Sequence, residues 1–355
     1  MKKVIFILPS GSARPVGGHK VVFEYTNKLI EDGFKVGIVM PAALKWKEIS
    51  FLKKMIGILR YVYFKFKKNR YLPYSWFDLN KKANIFWCLN LSEKNIPEAD
   101  YIFATACETA EYVADYEKDK GEKFYLIQSH ENWAMDEKRL HATYKKPMKK
   151  IVISKFLKNL IDEYDKNSMY IENGLDNTKF YKLKDIKKDK NTIMMLYHFD
   201  EKVKQSKKAL SILKKLKENH NELKLILFGL PERPKDLDEW IEYYKMPKQE
   251  LLVQLYNRAR IFVSPSYIEG WALPPAEAML SGTCVCVTDI PGHEYVEHLK
   301  TGYKVDKSLE NLYEGVEFLL DNQNIVDRLE KNGQNYISNF NWENSYRKFK
   351  KYILN

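Results

Sequence analysis

Ile261-Phe262-Val263-Ser264-Pro265-Ser266, Tyr267-Ile268-Glu269-Gly270-Trp271-Ala272-Leu273-Pro274-Pro275-Ala276-Glu277-Ala278-Met279-Leu280-Ser281-Gly282 and Thr283-Cys284-Val285-Cys286-Val287-Thr288-Asp289 form one continuous stretch. A short apolar run, a loop opening onto a helix, and a second β-branched run predict one βαβ unit, with the loop at the carboxyl end of the first strand. Open α/β sheets bind ligands there. Pro274 and Pro275 suit a first helical turn, Ala276 to Leu280 are good helix formers, and Gly282 is a C′ stop. The helix therefore begins close to Leu273 and leaves the backbone N–H groups of Trp271, Ala272 and Leu273 for an anion, of which a diphosphate is the natural example. Glu269 stands before that site and Glu277 within the helix. Carboxylates do not attract an anion, so their partners are hydroxyls: a ribose for one and a sugar for the other.

Glu269, seven residues, then Glu277, set between a Pro-Ser strand end and Ala-Met-Leu-Ser-Gly, resembles the donor-site motif of glycosyltransferase family 4, retaining enzymes of GT-B fold. Glu250-Leu251-Leu252, Tyr256-Asn257-Arg258-Ala259 and Pro291-Gly292 extend the similarity. The resemblance implies that Glu277 holds the nucleotide ribose, that Glu269 contacts the transferred sugar, and that the amides of Trp271, Ala272 and Leu273 bind the diphosphate. It also implies the fold: α/β, GT-B, two Rossmann-like doubly wound parallel-sheet domains facing a central cleft. Ala272 departs from the glycine usual after the aromatic residue, which narrows the space beside the diphosphate.

The 355 residues suffice for two domains, each with its own core, and the 45% hydrophobic fraction argues against disorder. No stretch approaches the roughly 20 apolar residues of a spanning helix. Met1-Lys2-Lys3 followed by Val4 to Leu8 and then Pro9-Ser10-Gly11 reads as a first strand of a cytoplasmic protein and not as a signal peptide. Cys88 and Cys107 are isolated, while Cys284 and Cys286 alternate on one strand face, so all four read as buried reduced thiols. The net charge of +12 calls for an acidic partner, whether nucleic acid, anionic membrane or phosphorylated ligand. No helix-turn-helix, RNA-binding signature or zinc finger accompanies it, which argues against nucleic acid.

In the first half, Val4 to Leu8 predicts a strand and Ser10 to His19 a loop ending in Gly17-Gly18, followed by a helix from about Val21 to Ile30 and a strand over Lys35 to Met40. A glycine pair after a strand lets backbone approach a ligand, or simply turns the chain. The resemblance places a glycine-rich loop here, near the donor's phosphate or sugar, and so assigns donor binding to Gly17 and Gly18. Gly17-Gly18-His19-Lys20-Val21-Val22-Phe23-Glu24-Tyr25 also resembles a subset of the family associated with bacterial surface polysaccharides, including rhamnosyltransferases. Residues 43–74 carry Ile49, Leu52, Ile56, Leu59, Tyr63 and Phe66 at helical spacing, with Lys45, Lys47, Lys53, Lys54, Arg60, Lys65, Lys67, Lys68 and Arg70 around them, opposed mainly by Glu48. This basic amphipathic segment either meets an anionic membrane surface or packs its apolar face on the sheet and leaves the lysines in water. Strands follow at Ile85 to Leu91, Tyr101 to Thr105 and Lys123 to Gln128. The last runs into Gln128-Ser129-His130-Glu131-Asn132-Trp133, and the resemblance implies that His130 contacts the transferred sugar.

Tyr170 to Asp176 resembles the family's domain junction, and Lys182 to Lys190 reads as a solvated linker. The expected domains are 1–170 on the acceptor side, 171–336 holding the nucleotide sugar, and a terminal helix, 337–355, returning to the first. After a strand at Thr192 to Leu196 come Lys202 and Lys204, with Gln205 or Val203 where the family has glycine and no arginine nearby. Either lysine can neutralise the leaving diphosphate. Leu223 to Phe228 ends at Gly229, near which a nucleotide base is expected. Asp236-Leu237-Asp238 does not follow a strand, and no metal or cofactor is expected. The expected activity is transfer of a sugar, with retention, from a nucleoside-diphosphate sugar to a hydroxyl of a glycan or lipid-linked saccharide acceptor in bacterial surface polysaccharide biosynthesis. A nucleotide-sugar epimerase of the same fold, or a non-catalytic subunit of a polysaccharide assembly complex, would fit the same features.

Overall fold

The structure, a computed structural model, describes residues 1–12, 14–44, 50–66 and 76–355. The chain divides into two compact units, Met1–Glu172 with Tyr346–Asn355, and Asn173–Ser345. In chain order the first unit holds β1 (Lys3–Ile7), α1 (Gly17–Glu31), β2 (Lys35–Pro41), α2 (Phe51–Phe66), β3 (Asn84–Cys88), β4 (Tyr101–Ala104), α3 (Cys107–Asp115), β5 (Glu122–Ile127), α4 (Glu137–Tyr144), β6 (Lys149–Val152), α5 (Lys155–Asp162) and β7 (Met169–Tyr170). The second holds β8 (Thr192–Leu196), α6 (Glu201–Lys204), α7 (Ser206–Asn219), β9 (Lys224–Gly229), β10 (Ile241–Lys245), α8 (Gln249–Arg258), β11 (Ile261–Ser264), α9 (Leu273–Leu280), β12 (Cys284–Thr288), β13 (Tyr303–Val305), α10 (Leu312–Asp321) and α11 (Gln323–Ile337). α12 (Trp342–Leu354) starts in the second unit and ends in the first.

Each unit is built on one parallel sheet, ordered β3-β2-β1-β4-β5-β6-β7 in the first and β10-β9-β8-β11-β12-β13 in the second. In both, chain order reverses beside the first strand of the unit, between β1 and β4 and between β8 and β11. These are the topological switch points at which doubly wound sheets bind ligands. Central strands covered on both faces must be apolar throughout, and every residue of β4, β11 and β12 is buried. The core of the second unit joins Ile193, Leu227 and Val263 of the sheet to Leu213 of α7, Val316 of α10 and Leu329 of α11. The four cysteines are buried and unbonded.

Two expectations are corrected by the fold. Gly17 and Gly18 do not end a loop ahead of a helix at Val21; they form the first turn of α1. β7, β10 and β13 have no counterpart in the sequence reading. They lie at sheet edges, where half-exposed residues such as Glu242 and Lys304 break the apolar run that marks a strand. Asp236 to Asp238 fall between β9 and β10, with Leu237 buried and Asp238 accepting from Trp240 Nε1 at 3.2 Å and Lys214 at 3.2 Å. Of the basic segment, Lys45, Lys47, Glu48, Ile49, Lys67, Lys68 and Arg70 lie outside the described residues. Among the described residues no helix is long and apolar enough to cross a membrane.

Candidate functional site

The switch point of the second unit is flanked by two loops, one following β8 and one following β11. The first carries α6, a single turn started by Asp200, whose carboxylate accepts the Val203 N–H at 3.2 Å. It ends at Gln205 in the left-handed region, φ 47°. That conformation explains the glycine expected here, because a side chain adopts it only at a cost. Gln205 compensates with its amide, which donates to the carbonyls of Pro265 at 3.0 Å and Lys307 at 2.8 Å. Tyr267 N–H donates back to the Val203 carbonyl at 2.8 Å. The two loops are thereby stitched together.

Across this seam Lys204 Nζ donates to Glu269 Oε1, and Ser266 Oγ donates to the same oxygen at 2.9 Å. Burial pushes the Glu269 carboxyl toward neutrality, but the Lys204 charge and hydrogen bond, with Ser266 assisting, outweigh it and hold the pKa below the usual glutamate range. Only a small hollow of about 10 Å³ lies at the pair, lined by Leu196, Lys204, Ser264, Ser266, Glu269 and Pro274. Lys202, the other candidate cation, is exposed.

The segment after β12 braces this loop from behind. His293 is fully buried, and burial takes its pKa down to about 4, so the ring is neutral. Its Nδ1 lies 2.9 Å from the Thr288 carbonyl, which has only lone pairs to offer, so Nδ1 carries the proton. Nε2 then accepts from Ser264 Oγ at 3.2 Å. Thr288 Oγ1 donates to the Ser266 carbonyl at 2.5 Å, and Tyr295 OH to the Ala272 carbonyl at 2.5 Å. Gly292 packs so closely that a Cβ there would stand 2.3 Å from Glu269 Cβ and 2.6 Å from its carbonyl oxygen. Sequence reading took Pro291-Gly292 as part of the resemblance and gave Thr288 and His293 no role; two polar residues close behind the apolar run of β12 were the available signal.

α9 begins at Leu273 with both prolines in its first turn, and Gly282 ends it at φ 75°. The donor set at its start is narrower than expected. Ala272 N–H donates to the Gly292 carbonyl at 3.0 Å and is committed there, while Pro274 and Pro275 have no N–H to give. The N–H groups of Trp271 and Leu273 donate to no acceptor among the described residues. The Trp271 indole is buried against Tyr295, 4.7 Å between ring centroids, with Nε1 lacking a hydrogen-bond partner among the described residues. Glu277 is buried in α9, one carboxylate oxygen accepting from Tyr256 OH at 3.3 Å. Gly229 serves packing at this point: a Cβ would stand 2.1 Å from the Tyr197 carbonyl oxygen.

In the first unit, Gly17 is open, and the Gln128 side-chain amide donates to the Gly18 carbonyl at 3.2 Å, joining the start of α1 to the end of β5. His130 is half-buried with Nδ1 3.1 Å from Tyr144 OH, and burial, then the neighbouring His141, lower its pKa. Glu131, to which sequence reading gave no role, accepts the Cys107 N–H at 2.6 Å at the start of α3, and burial raises its carboxyl to about 6. Among the described residues no group of three His, Cys, Asp or Glu is placed to hold a metal ion.

Residues 176–336 match the family described as Glycosyl transferases group 1, a span that contains Lys204, Glu269 and Glu277. No curated protein matches the chain. Solved structures do. Sucrose-phosphate synthase from Thermosynechococcus elongatus aligns with a TM-score of 0.74 at 16% identity, covering 100% of this chain and 98% of that one. HepE from Anabaena, in complex with UDP and glucose, aligns with a TM-score of 0.73 at 13% identity over 100% of both chains. A TarM mutant from S. aureus in complex with Fondaparinux, alpha-GlcNAc-glycerol and UDP aligns with a TM-score of 0.72 at 12% identity, again over 100% of both. The fold is GT-B, two Rossmann-like parallel-sheet domains. Fold and family match together support a glycosyltransferase.

Proposed function

We propose that the protein is a retaining glycosyltransferase that moves a sugar from a nucleoside-diphosphate sugar to a hydroxyl of a glycan or lipid-linked acceptor, at the cytoplasmic face of a bacterial membrane, in surface polysaccharide biosynthesis. The observation that carries this reading is the Lys204–Glu269 pair joining two loops at the switch point of the second sheet. A cation and a carboxylate held side by side suit a ligand with a charged diphosphate at one end and a hydroxyl-bearing sugar at the other. Lys204 meets the diphosphate and offsets the charge that the leaving nucleoside diphosphate gains in the transition state. The amides of Trp271 and Leu273 add neutral donors beside it, with α9 behind them. Glu277 accepts from the ribose hydroxyls, and Glu269 from the transferred sugar. Lys204 supplies the positive charge, so no metal is required. The HepE and TarM structures are complexes with UDP, which makes uracil the first base to test.

Calorimetric titration of UDP, dTDP, GDP and ADP into the purified protein without metal, followed by turnover assays with sugar derivatives of whichever binds, tests the reading. Glu277→Ala is expected to weaken nucleotide binding by about 10- to 100-fold, as loss of a charged hydrogen bond does. Glu269→Ala is expected to keep nucleotide affinity, since Lys204 loses a competing partner, and to lower turnover by about 100-fold. Equal and negligible effects of both substitutions would refute the site. Release of free or epimerised sugar without an acceptor would make the protein an epimerase, and nucleotide binding without any turnover would make it a non-catalytic subunit.

A further inference from the structure

α2 is the one element among those described whose apolar side is turned to solvent as a continuous surface. Phe51, Leu59 and Phe66 are 79%, 66% and 83% exposed, and Leu52, Ile56 and Tyr63 are exposed with them. At about 100° per residue these six side chains fill one unbroken arc of about 140° on the helix circumference. The other side carries what the helix packs with: Gly57 is buried, and Ile58 and Tyr61 are half-buried. Of the two readings the sequence left open, packing of the apolar face on the sheet is not what the fold shows.

The charges are distributed to match. α2 contains Lys53, Lys54, Arg60 and Lys65 and no acidic residue. On the same projection Arg60 and Lys53 border one edge of the arc, while Lys54 and Lys65 border the other. Arg60 reaches the Gly11 carbonyl at 3.5 Å, and Lys65 lies 3.0 Å from Tyr61 OH, so both cations are held at the flanks and not over the arc. An apolar strip with cations along both margins is the pattern of a helix lying in a lipid interface, rings and aliphatic chains among the acyl chains and ammonium groups at the phosphates.

We propose that α2 docks in the plane of an anionic lipid bilayer, burying the Phe51–Leu59–Phe66 arc and placing its four cations among the headgroups. Charge selects this occupant over a second copy of the chain, which would set the four cations of one α2 against the four of the other. Nucleic acid would satisfy the cations but leave the arc in water. At 16 residues the helix is about 24 Å long, which suits lying in the surface and not crossing it. Docking here does not depend on the identity of the reaction.

The test is co-sedimentation of the full chain with vesicles of phosphatidylcholine alone and of phosphatidylcholine with phosphatidylglycerol, at low and high salt. The wild type is expected to pellet with the phosphatidylglycerol vesicles at low salt, and several-fold less at high salt or with phosphatidylcholine alone. The double variant Leu52→Glu/Leu59→Glu changes only exposed positions. It is expected to keep the wild-type circular dichroism and UDP titration and to lose at least 10-fold of the bound fraction. Lys53→Gln/Lys65→Gln is expected to bind more weakly with a shallower salt dependence. A wild type that stays in the supernatant, equal binding to both vesicle types, or a double variant that pellets like the wild type would overturn the proposal. So would a wild-type dimer in light scattering that the double variant abolishes without any vesicle binding. The UDP titration on the same samples reports separately on the nucleotide site.

Discussion

Lys204 and Glu269 are 65 positions apart, and His293 supports their loop through Ser264 and Thr288. The neutral imidazole gives a pH signature at the residue scale. Its folded pKa, about 4, lies below the ordinary histidine value of 6.5, so its contribution to stability is fully present above pH 6.5 and is lost as pH falls toward and through 4. The interval corresponds to about 3 kcal/mol, an upper figure for a single buried imidazole. Thermal melts of the wild type and His293→Gln across pH 7.5 to 4 check this: the wild type is expected to lose stability steeply over that range and the variant to start lower and fall less. Equal slopes would remove His293 from the account. The sequence named Glu269 and Glu277 through their spacing, and it offered both Lys202 and Lys204 as the cation because both are lysines on one short turn. Only the fold separates them, one on Glu269 and one in solvent.

At the scale of elements, the segment from Thr288 to Tyr295 acts as a brace that holds the Glu269 loop at both ends, through Ser264 and Ser266 on one side and Ala272 on the other. Its closest approach is Gly292 against Glu269. Gly292→Ala is expected to push the Glu269 loop away from Lys204, at a cost of about 1–3 kcal/mol in stability from overpacking. Turnover is expected to fall more than nucleotide affinity, because Glu277 on α9 is left in place; steady-state kinetics beside calorimetry read the split. Loss of both in the same proportion would point to general disruption instead. The helix start at Leu273 and its glycine stop were legible in the sequence because capping chemistry is local. The commitment of Ala272 N–H to Gly292 was not, since the acceptor lies 20 residues away and nothing in either residue type announces it. The edge strands β7, β10 and β13 escaped for a related reason: strand identity there comes from pairing with a neighbour and not from an apolar run.

For the whole molecule, the chain passes from the first unit to the second at Glu172–Asn173 and returns within α12. The returning residues are part of the first core. Phe349 is fully buried and stacks on Tyr25 at 4.2 Å and Phe103 at 5.3 Å, Tyr346 OH donates to Asp32 at 2.6 Å, and Lys348 pairs with Glu172 at 2.5 Å. Phe349→Ala is expected to destabilise the first unit by about 3–5 kcal/mol. UDP binding, which the proposed function assigns to the second unit, is expected to persist at temperatures below the lowered transition. Differential scanning calorimetry with and without UDP checks this: one transition is expected to move with the substitution and the other with the nucleotide. A single transition that shifts with both would mean that the units melt as one.

By itself the sequence determined the class of fold, the βαβ unit at 261–289 and the placement of Glu269 before α9 and Glu277 within it, because apolar periodicity, capping residues and the Glu269–Glu277 spacing are all local properties of the chain. It also placed a basic amphipathic segment after β2. The tertiary structure decided which lysine joins Glu269, which amides stay open at α9, what braces the loop, and that the apolar arc of α2 faces solvent. Each of those depends on what stands opposite a residue in space, and a partner 20 to 100 positions away leaves no mark on the local pattern.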